Sequence, residues 1–307
     1  MLARFSAAAL LAAALATVGC CPTPAPQGRL LEPMLPSTHL AAINAKADLI
    51  ETLRARGRVQ IKWTDTKGNT HHETADGVLI IRQRLLGKDG EGETSQSTEV
   101  VLFGRVASQD VFELGENLTN YWMAVRVDPK TATVGTKASP LDDRPDPALP
   151  FRAGKVPEIL GIAPLSSSDP SFVTTNPETV DVIVIRPSGS MGGGVDRILS
   201  FSRYGVGDLD TVRLYRTDGL IEGLAKLTDY REIPTAAPPD IDAGGRPTGR
   251  PGASVRLPFH IEINYPNRDA QVTLDIENYE LGIPLKDLAF KMPDFAKQGL
   301  KVETTPH

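Results

Sequence analysis

The chain has 307 residues, a formal net charge of −5, and 40% hydrophobic and 23% charged residues, a composition that indicates a globular protein. The acidic balance and the lack of a basic cluster argue against nucleic acid and against tight electrostatic binding to anionic lipid. The two cysteines, Cys20 and Cys21, are adjacent, so the chain has neither an internal disulfide framework nor a zinc cluster.

Residues 1–19 have the pattern of a secretory signal peptide. A single basic residue, Arg4, precedes a small apolar run that is shorter than the ~20 residues a membrane-spanning helix needs. Gly19 and Cys20 then resemble a lipobox, in which a small residue precedes a cysteine that receives diacylglycerol. We expect cleavage before Cys20 and membrane attachment through lipid on that residue. The alternative is an ordinary signal peptide with a chance cysteine, and Cys21 is either part of the tether or a site for a bond to another chain.

Residues 20–36 contain five prolines and are expected to form a semi-extended tether. A helix capped by Ser37 or Thr38 is predicted next, with Arg54 and Arg56 favouring its last turn and Gly57 ending it. Its apolar residues recur at steps of three or four and form one stripe. The stripe consists of Leu40, Ile43, Ala47, Ile50 and Leu53.

After Gly57 the hydrophobic period changes to two, which is typical of half-buried antiparallel strands. Strands are predicted at residues 59–63, 78–81, 100–103, 111–114, 121–127, 180–185, 198–201, 212–215, 220–227, 255–265 and 272–276. Loops are predicted at residues 138–152, 164–179 and 238–252, with a short helix at residues 155–160. Asp218-Gly219 is a hairpin signal, and a last apolar edge is formed by Leu285, Leu288 and Phe290.

This pattern predicts an α+β, mainly β fold of roughly ten or eleven strands. Short turns join consecutive strands, and regular strand–helix alternation is lacking, which disfavours a doubly wound sheet. A large antiparallel sheet curls. We therefore expect an incomplete β-barrel covered by the N-terminal helix and one or two short helices.

Catalytic and metal-binding signatures are missing from the sequence. It contains no Gly-x-Ser-x-Gly elbow and no His-Glu-x-x-His, and the glycine-rich residues 189–194 lack the Lys-Ser/Thr ending of a phosphate loop. The neighbours His71 and His72 point to opposite faces of a strand and are a poor metal site. We expect neither an enzyme nor a resident metal or cofactor.

The order of the predicted elements and several short segments carry a family resemblance. The segments are a strand ending in Trp63, residues 77–80, residues 111–115, Tyr121-Trp122, residues 214–220, residues 272–279, residues 281–284 and Phe290. Over roughly residues 39–295 they resemble the LolA/LolB-like lipoprotein carrier family. That resemblance implies an incomplete β-barrel lidded by helices, with an apolar cavity that holds lipoprotein acyl chains in the periplasm.

The resemblance also implies an apolar residue on a protruding loop, for which Leu85 and Leu86 are the candidates. The alternative is that both residues simply end the preceding strand. An acyl-chain cavity needs large apolar side chains that face inward. The candidate lining residues are Trp63, Leu102, Phe112, Met123, Phe259 and Ile261, and the alternative is that they form an ordinary filled core.

We therefore expect a signal peptide at residues 1–19, a tether at residues 20–36 and a half-barrel domain at residues 37–307. The expected protein is a lipoprotein held by Cys20 at the outer membrane and facing the periplasm, because the residue after Cys20 is not the aspartate of inner-membrane retention. Its expected function is to bind or transfer a lipid or a lipoprotein acyl chain. The alternative is a scaffolding envelope lipoprotein with a filled core, and the sequence specifies neither the cargo nor the oligomeric state.

Overall fold

A computed structural model describes residues 29–64, 68–88, 94–127, 130–137, 153–165, 170–175, 179–186, 196–216, 219–235 and 253–304. The strands are β1 (Thr52–Thr64), β2 (Thr70–Lys88), β3 (Thr94–Val106), β4 (Gln109–Glu116), β5 (Asn120–Val125), β6 (Thr131–Thr136), β7 (Pro170–Thr175), β8 (Val180–Ile185), β9 (Arg197–Ser202), β10 (Leu209–Tyr215), β11 (Ile221–Pro234), β12 (Ser254–Tyr265), β13 (Ala270–Leu281) and β14 (Lys301–Thr304). The helices are α1 (Pro36–Leu49) and α2 (Val156–Ile159), with 3-10 turns at Ala153–Lys155, Pro266–Arg268 and Asp287–Phe290.

All of these strands belong to one 14-stranded sheet made of two meanders. Strands β1 to β6 run in order toward one side, β7 to β13 run inward from the other, and β1 pairs with β13 where they meet. Neighbours pair antiparallel, except that β14 joins β6 in parallel. The described edge strands β14 and β7 do not pair with each other. This open, curved sheet with few helices confirms the predicted fold class.

Alternation along the strands sends side chains into two apolar clusters. Val100 and Leu102 point into a large cluster that also contains residues of α1 and α2, whereas Val101 points to the opposite face. On that opposite face, Phe290 and Phe295 of the C-terminal segment cover the sheet. The helices therefore fill one face of the sheet, and the C-terminal segment covers part of the other.

The first helix is shorter than its apolar stripe predicts. It ends at Leu49, and Ile50 has left the helical region with φ −117° and ψ 78°. Leu53 already pairs with Ile81 and Leu281 at the centre of the sheet. Leu53 is fully buried there, because its side chain packs into the large apolar cluster on one face of the sheet. The predicted cap is also wrong. Leu35 is the N-cap, no side chain caps it, and Pro36 supplies the fixed φ that suits a first helical residue.

Gly57 therefore does not end a helix but lies within β1, at a register shift against β13. A Cβ at this position would stand 2.0 Å from the backbone oxygen of Asp275. Only a residue without a side chain allows β13 to come this close. The prediction that Arg54 and Arg56 lie in a helix is wrong for the same reason, since both belong to β1.

Other differences concern short or polar strands. Strand β7 lies inside the predicted loop at residues 164–179, and β6 and β14 were not predicted because their alternation is weak. Of the predicted apolar edge, Phe290 is buried, but Leu288 is 75% exposed because it lies on the outer side of a 3-10 turn. The predicted loops at residues 138–152 and 238–252 lie outside the described residues.

Candidate functional site

A pocket of about 390 Å³ lies between α1 and the strands β9, β10 and β12. Its walls are mostly apolar, with a few charged groups at one side. It is lined by Met34, Thr38, His39, Ala42, Ile43, Ala45, Lys46, Leu49, Gly161, Phe201, Val206, Gly207, Asp208, Leu209, Ser254, Val255 and Arg256. Small-molecule sites in proteins have volumes of about 300–1,000 Å³ and the same mixture of apolar walls and few polar groups.

Helix α1 forms one wall of the pocket and is fixed to the domain by reciprocal hydrogen bonds. The Asn44 amide donates to the Leu165 carbonyl oxygen at 2.9 Å, and the Leu165 backbone N–H donates to the Asn44 side-chain oxygen at 2.8 Å. Ile43 and Ala47 are buried below the helix axis. This wall is therefore held by side-chain-to-backbone bonds as well as by apolar packing.

One buried polar pair supports the floor of the pocket. His39 Nε2 lies 3.0 Å from Asp181 Oδ2, and the two side chains are only 2% and 1% exposed. The same Asp181 oxygen accepts the Met34 backbone N–H at 3.0 Å, which ties the segment before α1 to β8. The His39 ring also stacks on Phe201 at 4.1 Å between centroids. Asp181 therefore joins the first turn of α1 to the sheet.

The charged side of the pocket carries two cations and one carboxylate. Arg256 donates two hydrogen bonds to the Asp208 carboxylate, from Nε to Oδ1 at 3.1 Å and from Nη2 to Oδ2 at 2.8 Å. Lys46 projects from α1 into the same region. Burial lowers the pKa of Lys46, nearby Asp208 opposes this shift, and Arg256 adds to it. This side of the pocket therefore holds an excess of positive charge.

Exposed apolar side chains lie in the lining of the pocket and next to it in the chain. Val206 is 61% exposed and Leu49 is 40% exposed, and both line the pocket. Leu35, next to the lining residue Met34, is 70% exposed. A cluster of exposed large apolar residues beside a concave site is typical of a surface that meets an apolar partner.

The six predicted lining residues lie elsewhere on the same face of the sheet. Five of them are buried in the large apolar cluster, and Trp63 packs against its edge and stacks on His71 at 4.9 Å. None of them lines the pocket below α1. The five are Leu102, Phe112, Met123, Phe259 and Ile261.

The backbone of Leu85 and Leu86 belongs to β2, which continues to Lys88 before the hairpin turns. Leu85 pairs with Gln96 of β3, so the paired strands extend beyond the predicted start of the loop. Cys20 lies outside the described residues, as do residues 189–194.

Sequence reasoning missed His39, Lys46 and Asp181. A signal for His39 was present, because it precedes Ile43 and Ala47 at steps of four and therefore shares their buried face. Asp181 is the one acid in the apolar strand β8, which marks it as a buried carboxylate in need of a partner. Lys46 had no such signal, since a lysine on a helix is ordinarily solvated.

The described part of the chain has neither a metal-binding cluster nor a helix that could span a membrane. No group of three or more His, Cys, Asp or Glu side chains is arranged to hold a metal ion there. Within the same residues, no helix has the length and apolar character needed to cross a membrane.

The fold and the pocket together define an open antiparallel half-barrel with an amphipathic pocket under its N-terminal helix. No family model and no curated protein matches the sequence.

Several solved structures resemble the chain, among them the following three. A DUF1329 family protein from Desulfovibrio piger has a TM-score of 0.49 and 10% identity, over 83% of this chain and 96% of that one. A domain assigned to outer membrane lipoprotein sorting, from Vibrio parahaemolyticus, has a TM-score of 0.45 and 10% identity, over 86% and 98%. A LolA superfamily protein from Nitrosomonas europaea has a TM-score of 0.43 and 11% identity, over 82% and 97%.

Proposed function

We propose that this protein is a non-catalytic lipoprotein of the bacterial envelope that binds an acyl chain in the pocket under α1. The observation that carries the proposal is the pocket itself, with a volume of about 390 Å³ and mostly apolar walls. The exposed apolar side chains of Leu49 and Val206 line the pocket, so an entering acyl chain meets apolar surface. Each methylene group buried there contributes about 0.8 kcal/mol to binding.

The membrane anchor is supported by the sequence around Cys20. A lipid on that residue and a proline-rich tether over residues 20–36 would hold the half-barrel close to the outer membrane on its periplasmic side. Mass spectrometry of the mature N-terminus tests this part. We expect cleavage before Cys20 and a diacylglycerol adduct on it, both lost in Cys20→Ser. An unmodified mature Cys20 would contradict the proposed membrane anchor, but it would not bear on the proposed binding of an acyl chain in the pocket.

The binding function is tested by filling the pocket from α1. Ala41 and Ala42 are neighbouring exposed residues of α1, but only Ala42 lines the pocket, so the two positions form a matched pair. We expect Ala42→Phe to weaken the binding of a fluorescent fatty acid at least tenfold, because the ring occupies the space of about four methylene groups. Ala41→Phe should bind as the unmodified protein does.

The alternative function is a scaffold whose core is filled. It is favoured by the tight burial of the five predicted lining residues in the apolar cluster. If the unmodified protein binds no acyl probe, or Ala41→Phe and Ala42→Phe bind alike, the scaffold is the better description. Native mass spectrometry of the full chain, with and without added fatty acid, is a second way to distinguish acyl-chain binding from a filled scaffold.

A further inference from the structure

Lys46 is the cation of the pocket that has no carboxylate of its own. It lies on α1 between the buried residues Ile43 and Ala47 and faces the pocket. In the part of the chain that the structure describes, no hydrogen bond or ion pair engages its amine. Lys46 is half-buried, and an ammonium group that loses water without gaining a partner is in an unfavourable position.

The one carboxylate that lines the pocket is already committed. Both oxygens of Asp208 accept hydrogen bonds from Arg256, so its charge is matched. Asp181 does not line the pocket, and one of its oxygens contacts His39 and accepts the Met34 backbone N–H. The charges that line the pocket therefore leave one positive charge in excess, at Lys46.

We infer that the ligand is a single-chain amphiphile with one anionic head group, and that Lys46 binds the head while the apolar walls bind the chain. This inference rests on the proposed acyl-chain function and adds the chemical class of the ligand. A carboxylate or phosphate oxygen would give the Lys46 ammonium the charge-assisted partner that it lacks. The chain would then lie against Ile43, Phe201 and Leu209.

The test compares three probes that share one chain and differ only in the head group. Dodecanoate carries a carboxylate, dodecyl phosphate a phosphate, and dodecanol no charge. Binding to the full chain is measured by displacement of a fluorescent acyl probe. The variants are Lys46→Met, which keeps the length of the side chain, and Lys46→Arg, which keeps its charge. Lys62→Met is the control, because Lys62 is exposed on β1 and remote from the pocket lining.

We expect the unmodified protein and Lys62→Met to bind both anions about tenfold tighter than dodecanol, the difference typical of a hydrogen bond to a charged group. In Lys46→Met this preference should fall to about twofold or less, with dodecanol binding unchanged, which also shows that the pocket is intact. Lys46→Arg should retain the preference. The comparison of dodecanoate with dodecyl phosphate then distinguishes a fatty-acid source from a phospholipid source.

Two other outcomes overturn the inference in distinguishable ways. If all three probes bind equally well to the unmodified protein, or Lys46→Met still prefers anions, Lys46 does not recognise the head group and the acyl-chain function stands. If none of the probes binds, the proposed function fails and the inference fails with it.

Discussion

The buried contact between His39 and Asp181 is the point at which α1 depends most on a single polar interaction. Replacing His39 with Leu removes the Nε2 contact to Asp181 and leaves that carboxylate with the Met34 backbone N–H as its remaining hydrogen-bond donor. The second oxygen of Asp181 is buried and has no hydrogen-bond partner among the described residues. The substitution therefore leaves an under-satisfied acid in the core.

The expected magnitude follows from burial. Both side chains are at most 2% exposed, so solvent cannot replace the lost partner. Removing one member of a buried pair costs about 3–5 kcal/mol, whereas replacing both with apolar groups of similar size is often close to neutral. We therefore expect His39→Leu to lower the free energy of unfolding by about 3 kcal/mol. The double variant with Asp181→Val should lose less than the sum of the two single variants.

Urea unfolding of the full chain, followed by tryptophan fluorescence, measures the three variants and completes a double-mutant cycle. A coupling energy of about 1–3 kcal/mol is expected between the two sites. If His39→Leu stays within about 0.5 kcal/mol of the unmodified protein, or if the two substitutions are additive, the pair does not hold α1 on the sheet.

Three further predictions concern other parts of the structure. Gly57→Ala should cost about 1–3 kcal/mol in urea unfolding, because its Cβ would stand 2.0 Å from the Asp275 backbone oxygen of β13. Gly223→Ala should cost less, because its Cβ would meet the Tyr265 side chain at 3.3 Å and the nearest backbone atom, the Asn264 oxygen, at 3.8 Å. Equal effects would contradict the close approach. Phe290→Ala should cost about 3–5 kcal/mol, and the 75% exposed Leu288→Ala within about 0.5, measured in the same way. Burial lowers the pKa of Lys46 below its unfolded value of about 10.4. Between the two pKa values the folded state binds fewer protons than the unfolded state, so the free energy of unfolding rises with pH in that range. Without ligand, Lys46→Met should therefore have a higher free energy of unfolding than the unmodified protein at neutral pH. The difference should vanish as the pH approaches about 10.4. A difference that does not change with pH would refute this.

The sequence predicted most of the sheet, because alternation with period two is a local property. Strand β8 has the predicted bounds, and the return from β12 through residues 266–269 into β13 is also where the pattern placed it. These strands each bury one face on the same core, so their hydrophobic pattern is strong. Polar strands such as β6 and β14 lack that signal, since their pairing and not their own pattern places them in the sheet.

Tertiary structure decided where the first helix ends. Residues 50–56 fit a helical stripe as well as a strand, and propensity does not separate the two. Pairing of Leu53 with both β2 and β13 settles the choice, because leaving the centre of the sheet open would cost the hydrogen bonds of two ladders. Gly57, which the sequence placed at a helix terminus, lies instead in a strand, where its backbone closely approaches Asp275.

The candidate site depends on the tertiary structure to a greater degree. The sequence by itself determined a mainly β domain behind a lipobox-like cysteine, and it indicated that large apolar residues face inward. It did not determine which of those residues pack tightly and which leave space. Only the packing of α1 across β9, β10 and β12 brings Lys46, Asp208 and Arg256 to one pocket. These residues are far apart in the chain, and the sequence around each one predicts an ordinary solvated charge.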